Sequence, residues 1–157
     1  MDRPNCQATP VPGEPAHPET EAEPAQTFFR GSALIVEDNA IIALGTEAML
    51  IELGFQSCVV TGSIGAAIEA IRSKSISFAM LDIIVGEASS EPVAHAQRAR
   101  SIPFVFASGY GDGTDMNGDL ADVPFVPKPF ASDDIAAELM RLSWPSPASK
   151  RLFRRRV

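Results

Sequence analysis

Short apolar runs alternate with segments of helical periodicity along the chain from Gly31 onwards. Compact apolar runs bounded by turn residues are typical of buried strands, whereas apolar residues that recur every three or four positions are typical of helices. Regular alternation of the two predicts a parallel sheet with helices on both faces. The predicted elements are strand 33–37, helix 40–53, strand 56–60, helix 63–73, strand 77–82, helix 90–100, strand 103–107, a short helix or loop 110–120, strand 124–127 and helix 132–142.

The first predicted helix differs from the others because it is apolar nearly all round. A helix on the surface of a globular protein usually carries a single apolar stripe. Two interpretations remain open: the fold covers this helix on most sides, or part of it docks a partner. The apolar residues are Ile41, Ile42, Ala43, Leu44, Ala48, Met49, Leu50, Ile51 and Leu53.

The two ends of the chain differ in composition from the centre. Residues 1–29 are rich in Pro, Glu, Ala and Thr and hold five acids against one arginine. Such a segment buries too little apolar surface to offset its ordering entropy, so we predict a disordered acidic tail. Residues 144–157 hold five basic residues and no acid. This basic tail is either solvated or in contact with anionic lipid, nucleic acid or an acidic protein. The folded domain is predicted at 30–143.

Charge and composition exclude several classes of function. The net charge is −7, and residues 30–143 hold fifteen acids against seven basic residues, so nucleic acid is not the expected ligand of the folded part. No apolar stretch reaches the roughly 18 residues of a membrane span. The N-terminus lacks the basic-then-apolar pattern of a signal peptide. Two cysteines, Cys6 and Cys58, make no disulfide framework. We therefore expect a cytoplasmic protein with free thiols.

Chemically active side chains stand at the carboxyl ends of four predicted strands. Glu37 and Asp38 come at the end of the first strand and Asp82 at the end of the third. Ser108 follows the fourth strand and Lys128 the fifth. Open α/β sheets build their ligand sites at the carboxyl ends of strands, so we expect these side chains to share one site. Each residue alone has a plainer interpretation as a turn or helix cap, but their combination in this order favours a common chemistry.

Phosphoryl transfer is one chemistry that such a set of side chains can perform. An aspartate can attack a phosphoryl group and form an acyl phosphate. The obstacle is charge, since one like-charge pair 4 Å apart costs on the order of 4 kcal/mol at an effective dielectric near 20. A divalent cation relieves the repulsion, and clustered carboxylates suit Mg²⁺, which prefers oxygen ligands. Lys128 supplies a second positive charge and Ser108 a hydroxyl for the phosphoryl oxygens.

Residues 32–142 resemble the receiver domain of bacterial two-component response regulators. Leu34-Ile35-Val36-Glu37-Asp38-Asn39 is similar to the family's first-strand motif, and Asp82 matches its phosphoacceptor. The resemblance implies a flavodoxin-like fold, a five-stranded parallel doubly wound sheet with helices on both faces. It also implies Mg²⁺ as the cofactor. The implied metal ligands are Glu37 (mainly through water), Asp38 (directly), Asp82 and the backbone carbonyl of Ile84.

The resemblance implies a set of switch residues as well. Ser108 matches the switch Ser/Thr of the family, and Lys128 matches its site lysine. Phe125 occupies the position of the aromatic switch but lacks a hydroxyl group, so Tyr110 is expected to share that role. Ile84 and Tyr110 are expected to flank the acyl phosphate and exclude the hydrolytic water. Slow self-dephosphorylation follows from that arrangement.

A narrower resemblance concerns two segments. Residues 106–111, Phe-Ala-Ser-Gly-Tyr-Gly, and residues 124–130, Pro-Phe-Val-Pro-Lys-Pro-Phe, are similar to the FAT GUY subgroup. Its members are mostly single-domain receivers of alphaproteobacteria, several of them tied to the general stress response or to phosphorelays. Two departures stand out. Ser108 replaces the commoner threonine, and Gly86 stands four residues after the acceptor, where many receivers have proline. The second departure leaves the conformation of residues 83–91 open.

The resemblance implies a single-domain response regulator that accepts phosphoryl on Asp82 from a sensor histidine kinase or a histidine phosphotransfer protein. It would act on a downstream protein by direct contact, with the first and last helices as docking surfaces. It is not expected to be an enzyme with a separate substrate, although it catalyses its own phosphotransfer and dephosphorylation. The alternative is a degenerate receiver serving as a phosphorylation-independent binding module, against which Ser108, Lys128 and the intact acids argue. An aspartate-nucleophile phosphatase ranks lower, because such enzymes need a second acid where Ile84 stands.

Overall fold

The chain folds as alternating strands and helices around one parallel sheet. The computed structural model describes residues 31–109, 116 and 118–142. The strands are β1 Ser32–Val36, β2 Ser57–Thr61, β3 Ile76–Asp82, β4 Ile84–Val85, β5 Ala88–Ser89, β6 Phe104–Ser108 and β7 Phe125–Pro127. The helices are α1 Ala40–Glu52, α2 Ile64–Ser73, α3 Glu91–Ala99 and α4 Ser132–Arg141, with a 3₁₀ turn at Gly118–Leu120.

The central sheet has five parallel strands in the order β2-β1-β3-β6-β7. This is the strand order of the flavodoxin-like doubly wound fold, so the predicted fold class is confirmed. The direction of strand order reverses between β1 and β3. From β1 the chain continues to β2 on one side, and then crosses to β3 on the other side of β1. The carboxyl ends of these two strands form the crevice in which such sheets bind ligands.

Two hydrophobic cores, one on each face, hold the helices to the sheet. Alternate residues of a strand point to opposite faces. In β3, Phe78 and Met80 face the core shared with α1 and α4, whereas Ala79 and Leu81 face the core shared with α2 and α3. The near-continuous apolar runs of the central strands are therefore explained by burial on both faces.

Asparagine and serine side chains start two of the helices just after the sheet. The Asn39 side chain accepts hydrogen bonds from the backbone N–H groups of Ile41, at 3.0 Å, and Ile42, at 3.3 Å. Ser63 caps α2 by accepting from the backbone N–H of Ala66 at 3.2 Å, as its position in the sequence predicts. The Asn39 cap begins α1 directly after Glu37 and Asp38, so this acid pair stays at the sheet edge.

The predicted elements agree with the observed ones to within one residue at each end. One feature was missed: the loop at 83–91 contains the antiparallel hairpin of β4 and β5. Two-residue strands are too short to show any periodicity in the sequence. The predicted short helix or loop at 110–120 falls mostly outside the described residues, which show there only the 3₁₀ turn and Met116.

Helix α1 leaves an apolar stripe exposed. It buries Ala43, Thr46 and Leu50, whereas Ile41 is 83% exposed, Leu44 67% and Ile51 44%. With the exposed Ala48 these residues recur at the spacing of one helix face, here called the α1 stripe. The described part of the chain does not cover this helix on most sides, so that interpretation is wrong for these residues. An uncovered apolar face agrees with the docking interpretation.

Cys58 lies half-buried on β2 as a free thiol. Burial, aided by the charge of Glu47, raises the pKa of Cys58 to about 11, which makes it a poor nucleophile at neutral pH. The predicted tails at 1–29 and 144–157 lie outside the described residues, as does Cys6. Within the described segments no helix has the length and apolarity to cross a membrane.

Candidate functional site

The carboxyl edge of the sheet brings together three acids from two strands. Glu37 and Asp38 follow β1, and Asp82 is the last residue of β3. Because β1 and β3 are parallel neighbours, with Val36 paired to Leu81, their ends meet at the same height. One oxygen atom from each of the three carboxylates lies within 4.8 Å of the others. This convergence agrees with the site predicted at the carboxyl ends of the strands.

Lys128 also lies at the carboxyl edge of the sheet. It follows β7, which is on the side of β3 away from β1. Its Nζ donates to Glu37 Oε2 at 2.5 Å and to Asp82 Oδ2 at 3.0 Å. The three side chains are 15%, 6% and 15% exposed for Lys128, Glu37 and Asp82, so these ion pairs are shielded from water. Burial disfavours the charged amine, but hydrogen bonds and attraction from both carboxylates outweigh it and raise the pKa of Lys128 above its ordinary value. The ammonium group therefore stays charged at neutral pH.

Backbone geometry places Lys128 at the end of its strand. The Lys128 backbone N–H donates to the carbonyl oxygen of Ser108 at 2.8 Å and so extends the pairing of β6 and β7 by one step. Pro127 before it and Pro129 after it lack an N–H, and the Lys128–Pro129 peptide bond is cis. The side chain of Lys128 points at the acids.

Glu37 and Asp38 differ in how their oxygens are used. Glu37 is buried, and its Oε1 accepts from the backbone N–H of Asn39 at 2.9 Å while Oε2 accepts from Lys128. Asp38 is exposed, and its Oδ2 accepts from the backbone N–H of Gly86 at 2.9 Å. Asp38 is thus the acid most open to solvent. The expected roles, Asp38 ligating a metal directly and Glu37 through water, stay predictions that this arrangement permits.

The site fits a hard divalent cation. The cluster holds three carboxylates and one ammonium group, which pairs with Glu37 and Asp82, so it keeps an excess of negative charge. All donors in the cluster are oxygen atoms, which Mg²⁺ and similar ions prefer. Asp38 and Asp82 would hold such an ion.

The remaining predicted site residues are Ser108, Ile84, Phe125 and Tyr110. Ser108 ends β6 and is 7% exposed. Ile84 starts β4 with its side chain 51% exposed, and Phe125 starts β7 half-buried against the core of α2 and α3. Tyr110 lies outside the described residues. The switch roles of Ser108, Tyr110 and Phe125 and the carbonyl role of Ile84 therefore stay predictions.

Two participants had no role assigned from the sequence. Asn39 supports Glu37 through its backbone N–H, and Gly86 supports Asp38 in the same way. Backbone donors leave no signature in side-chain chemistry. The available signal was the glycine itself at position 86, where its freedom to adopt a positive φ permits a tight turn.

Comparison with known proteins identifies the family. No protein-family model matches the chain, and no curated protein does. Among solved structures it is similar to SdrG from Sphingomonas melonis Fr1, with 34% sequence identity and a TM-score of 0.62, covering 71% of this chain and 98% of that one. It is also similar to a response regulator receiver protein from Sinorhizobium medicae WSM419, with 25% identity, a TM-score of 0.64 and coverage of 72% and 94%.

A third match shares the fold alone. It is the receiver domain of a sensor histidine kinase from Pseudomonas aeruginosa PAO1, solved with a magnesium ion coordinated in its active site cleft. Identity is 22%, the TM-score is 0.60, and coverage is 72% of this chain and 95% of that one. Given this shared fold and the 34% identity across nearly all of SdrG, the chain belongs to the response regulator receiver domain family.

Proposed function

We propose that the protein accepts a phosphoryl group on Asp82 from a sensor histidine kinase or a histidine phosphotransfer protein, with Mg²⁺ as cofactor. The observation that carries the proposal is the position of Lys128, whose Nζ bridges Glu37 and Asp82 at the carboxyl edge of the sheet. A lysine in this position neutralises part of the negative charge of the acids. Its ammonium group can also donate hydrogen bonds to phosphoryl oxygens that bind at the same site. The motifs at 106–111 and 124–130 support membership of the FAT GUY subgroup and a single-domain role in a cytoplasmic phosphorelay.

The proposed step is a displacement at phosphorus. A carboxylate oxygen of Asp82 attacks the phosphoryl group, the new O–P bond forms, and the P–N bond to the donor histidine breaks. The imidazole leaves with the electron pair of that bond and takes a proton from water. Lys128 and the hydroxyl of Ser108 stabilise the charge on the transferring oxygens.

Asp38, Asp82 and, through water, Glu37 would hold Mg²⁺, with the backbone carbonyl of Ile84 as a further ligand. When bound, the ion neutralises the carboxylates and the phosphoryl oxygens. The magnesium ion in the related Pseudomonas receiver domain supports this choice of metal. We infer in addition that the protein signals through protein contact and catalyses no reaction on a separate substrate.

A direct test is the intact mass of the protein after incubation with Mg²⁺ and acetyl phosphate. We expect a gain of one phosphoryl group in the wild type, no gain with a chelator present, and no gain in Asp82→Asn. Asp122→Asn is the matched control, since Asp122 precedes β7 at the opposite edge of the sheet and pairs only with the surface Arg98 among the described residues. It should be phosphorylated like the wild type.

Failure with acetyl phosphate would call for a panel of autophosphorylated histidine kinases as donors. If these also leave the wild type unmodified, the phosphoacceptor proposal is wrong and the alternative, a phosphorylation-independent binding module, takes its place. Phosphorylation that persists in Asp82→Asn would mean that a residue other than Asp82 accepts the phosphoryl group.

The α1 stripe is the proposed contact for the phosphodonor protein. Helix α1 begins two residues after Asp38, so a protein that delivers its phosphohistidine to Asp82 meets this helix. Leu44→Ser should slow transfer from a kinase that phosphorylates the wild type by about tenfold, because burying one leucine is worth roughly 1.5 kcal/mol. Phosphorylation by acetyl phosphate should not change.

Val60→Ser provides the control for that variant. Val60 is 45% exposed on β2 and lies outside the first and last helices. Equal slowing by both variants would mean that α1 has no special part in the contact.

A further inference from the structure

We infer that the β4–β5 hairpin is a positioning device for the metal ligand Asp38, acting through the backbone N–H of Gly86. The inference rests on the proposed function, since it concerns the Mg²⁺ site of the phosphoacceptor. Gly86 is the residue that stands where many relatives are expected to have proline. Proline has no N–H, so the hydrogen bond from Gly86 to Asp38 depends on this departure.

The hairpin turn explains why the N–H of Gly86 is free to reach Asp38. Val85 pairs with Ala88, which leaves Gly86 and Glu87 as a two-residue turn. Gly86 has φ +64°, and the turns that suit such hairpins place a positive φ at this first position. The N–H of the first turn residue is not used in the strand ladder. It points instead at Asp38 Oδ2, 2.9 Å away and 48 residues earlier in the sequence.

The hairpin is anchored at its base, so the position of the turn is defined. The backbone N–H of Ile83 donates to the carbonyl of Ala107 on β6 at 3.2 Å, and the N–H of Ser90 donates to the carbonyl of Ile83 at 2.9 Å. Val85 is 4% exposed in the core of α2 and α3. These contacts tie the Gly86 amide to the sheet that also carries Asp82.

Asp38 needs such support more than the other acids do. Glu37 and Asp82 both form ion pairs with Lys128. Asp38 is exposed, and the described residues show no cation beside it. A charge-assisted hydrogen bond to one carboxylate oxygen selects a rotamer and leaves the other oxygen for a metal ion. Partners of this kind typically contribute 10- to 100-fold to metal affinity.

Mg²⁺ affinity of three proteins, measured by isothermal titration calorimetry, tests the inference. Gly86→Pro removes the donor and cannot adopt the positive φ, so we expect binding at least about tenfold weaker than in the wild type. Gly86→Asn keeps the N–H and tolerates the left-handed conformation, so it should bind within about twofold. An added Cβ at this position meets no atom within 4 Å. Wild-type affinity in Gly86→Pro would overturn the inference.

Amide hydrogen exchange provides a second, independent readout in case proline also disturbs the fold. In the Mg²⁺-free wild type the Gly86 amide should exchange more slowly than in Asp38→Ala, while the amide of Glu87 in the same turn exchanges alike in both. Equal exchange of Gly86 in the two proteins would also overturn the inference.

The outcomes separate this inference from the proposed function. A wild type that binds Mg²⁺ with these dependences but takes no phosphoryl group would contradict the function and leave the positioning role intact. If the wild type is phosphorylated but Gly86→Pro does not weaken Mg²⁺ binding, the proposed function is supported and the positioning role is contradicted. A wild type that binds no Mg²⁺ would overturn the positioning role.

Discussion

Lys128→Met is expected to slow phosphoryl uptake from acetyl phosphate by about a hundredfold and at the same time to tighten Mg²⁺ binding by about tenfold. The two effects have opposite signs because Lys128 has two roles. For the transferring phosphoryl group it is a stabilising charge, the kind whose removal typically costs at least about a hundredfold in rate. For the acids it is a counter-ion that competes with the metal.

The physical basis is the shielded pairing of Lys128 with Glu37 and Asp82. One pair of unit charges near 4 Å interacts by about 4 kcal/mol at an effective dielectric of 20. Without the ammonium group, the negative charge of both carboxylates is no longer partly neutralised, so they attract a divalent ion more strongly. Methionine keeps an unbranched side chain of similar length, so packing around the Pro-Lys-Pro segment is largely preserved.

The measurements are the initial rate of phosphorylation by intact mass and the Mg²⁺ affinity by calorimetry. Lys74→Met is the matched control, since Lys74 is exposed after α2 and the described residues show no ion pair to it. It should change neither quantity. If uptake and Mg²⁺ affinity both fall in Lys128→Met, Lys128 supports only the local fold and its charge has no direct part in the chemistry.

Phe78→Ala is expected to lower the free energy of unfolding by about 3–5 kcal/mol. Phe78 is fully buried in β3, at the centre of the core shared with α1 and α4, and its ring stacks on Phe55 with centroids 5.4 Å apart. Truncation removes the transfer energy of the ring and leaves a cavity that the sheet cannot close. Since domains of this size are stable by only about 5–15 kcal/mol, the loss is a large share of the total.

Urea unfolding followed by circular dichroism measures this change. Ile41→Ala is the control, since the Ile41 side chain is 83% exposed and its removal should change the stability by no more than about 0.5 kcal/mol. Phe78→Leu should cost less than half as much as Phe78→Ala, because it refills most of the volume. A loss below about 1 kcal/mol in Phe78→Ala would mean that this core relaxes around the missing ring.

The sequence predicted the fold and the clustering of site residues because both depend on strong, local patterns. Each central strand is a continuous apolar run that ends in a polar residue, and parallel strands place those ends together. Asp38, Asp82 and Lys128 are neighbours because of the strand order of the flavodoxin-like fold. The family resemblance implies that fold, whereas the apolar pattern alone indicates only a parallel sheet with helices on both faces.

Other features could not be read from the sequence, for particular reasons. The hairpin of β4 and β5 is too short for periodicity, and the hydrogen bond from Gly86 to Asp38 uses backbone atoms that carry no residue-specific signal. The exposure of Ile41 and Leu44 depends on what packs beside α1, which periodicity in one helix does not reveal. The apolar pattern of α1 alone is compatible with both interpretations of that helix.

The hydrogen bond from the Lys128 backbone N–H to the carbonyl of Ser108 has a consequence for spectroscopy. Both neighbours of Lys128 are prolines, so residues 127–129 contribute a single backbone peak to a ¹H–¹⁵N correlation spectrum. The frequency of that peak depends on the length and angle of the bond to Ser108. One resonance thus reports any movement of the predicted switch serine relative to the lysine, without a label attached to either side chain.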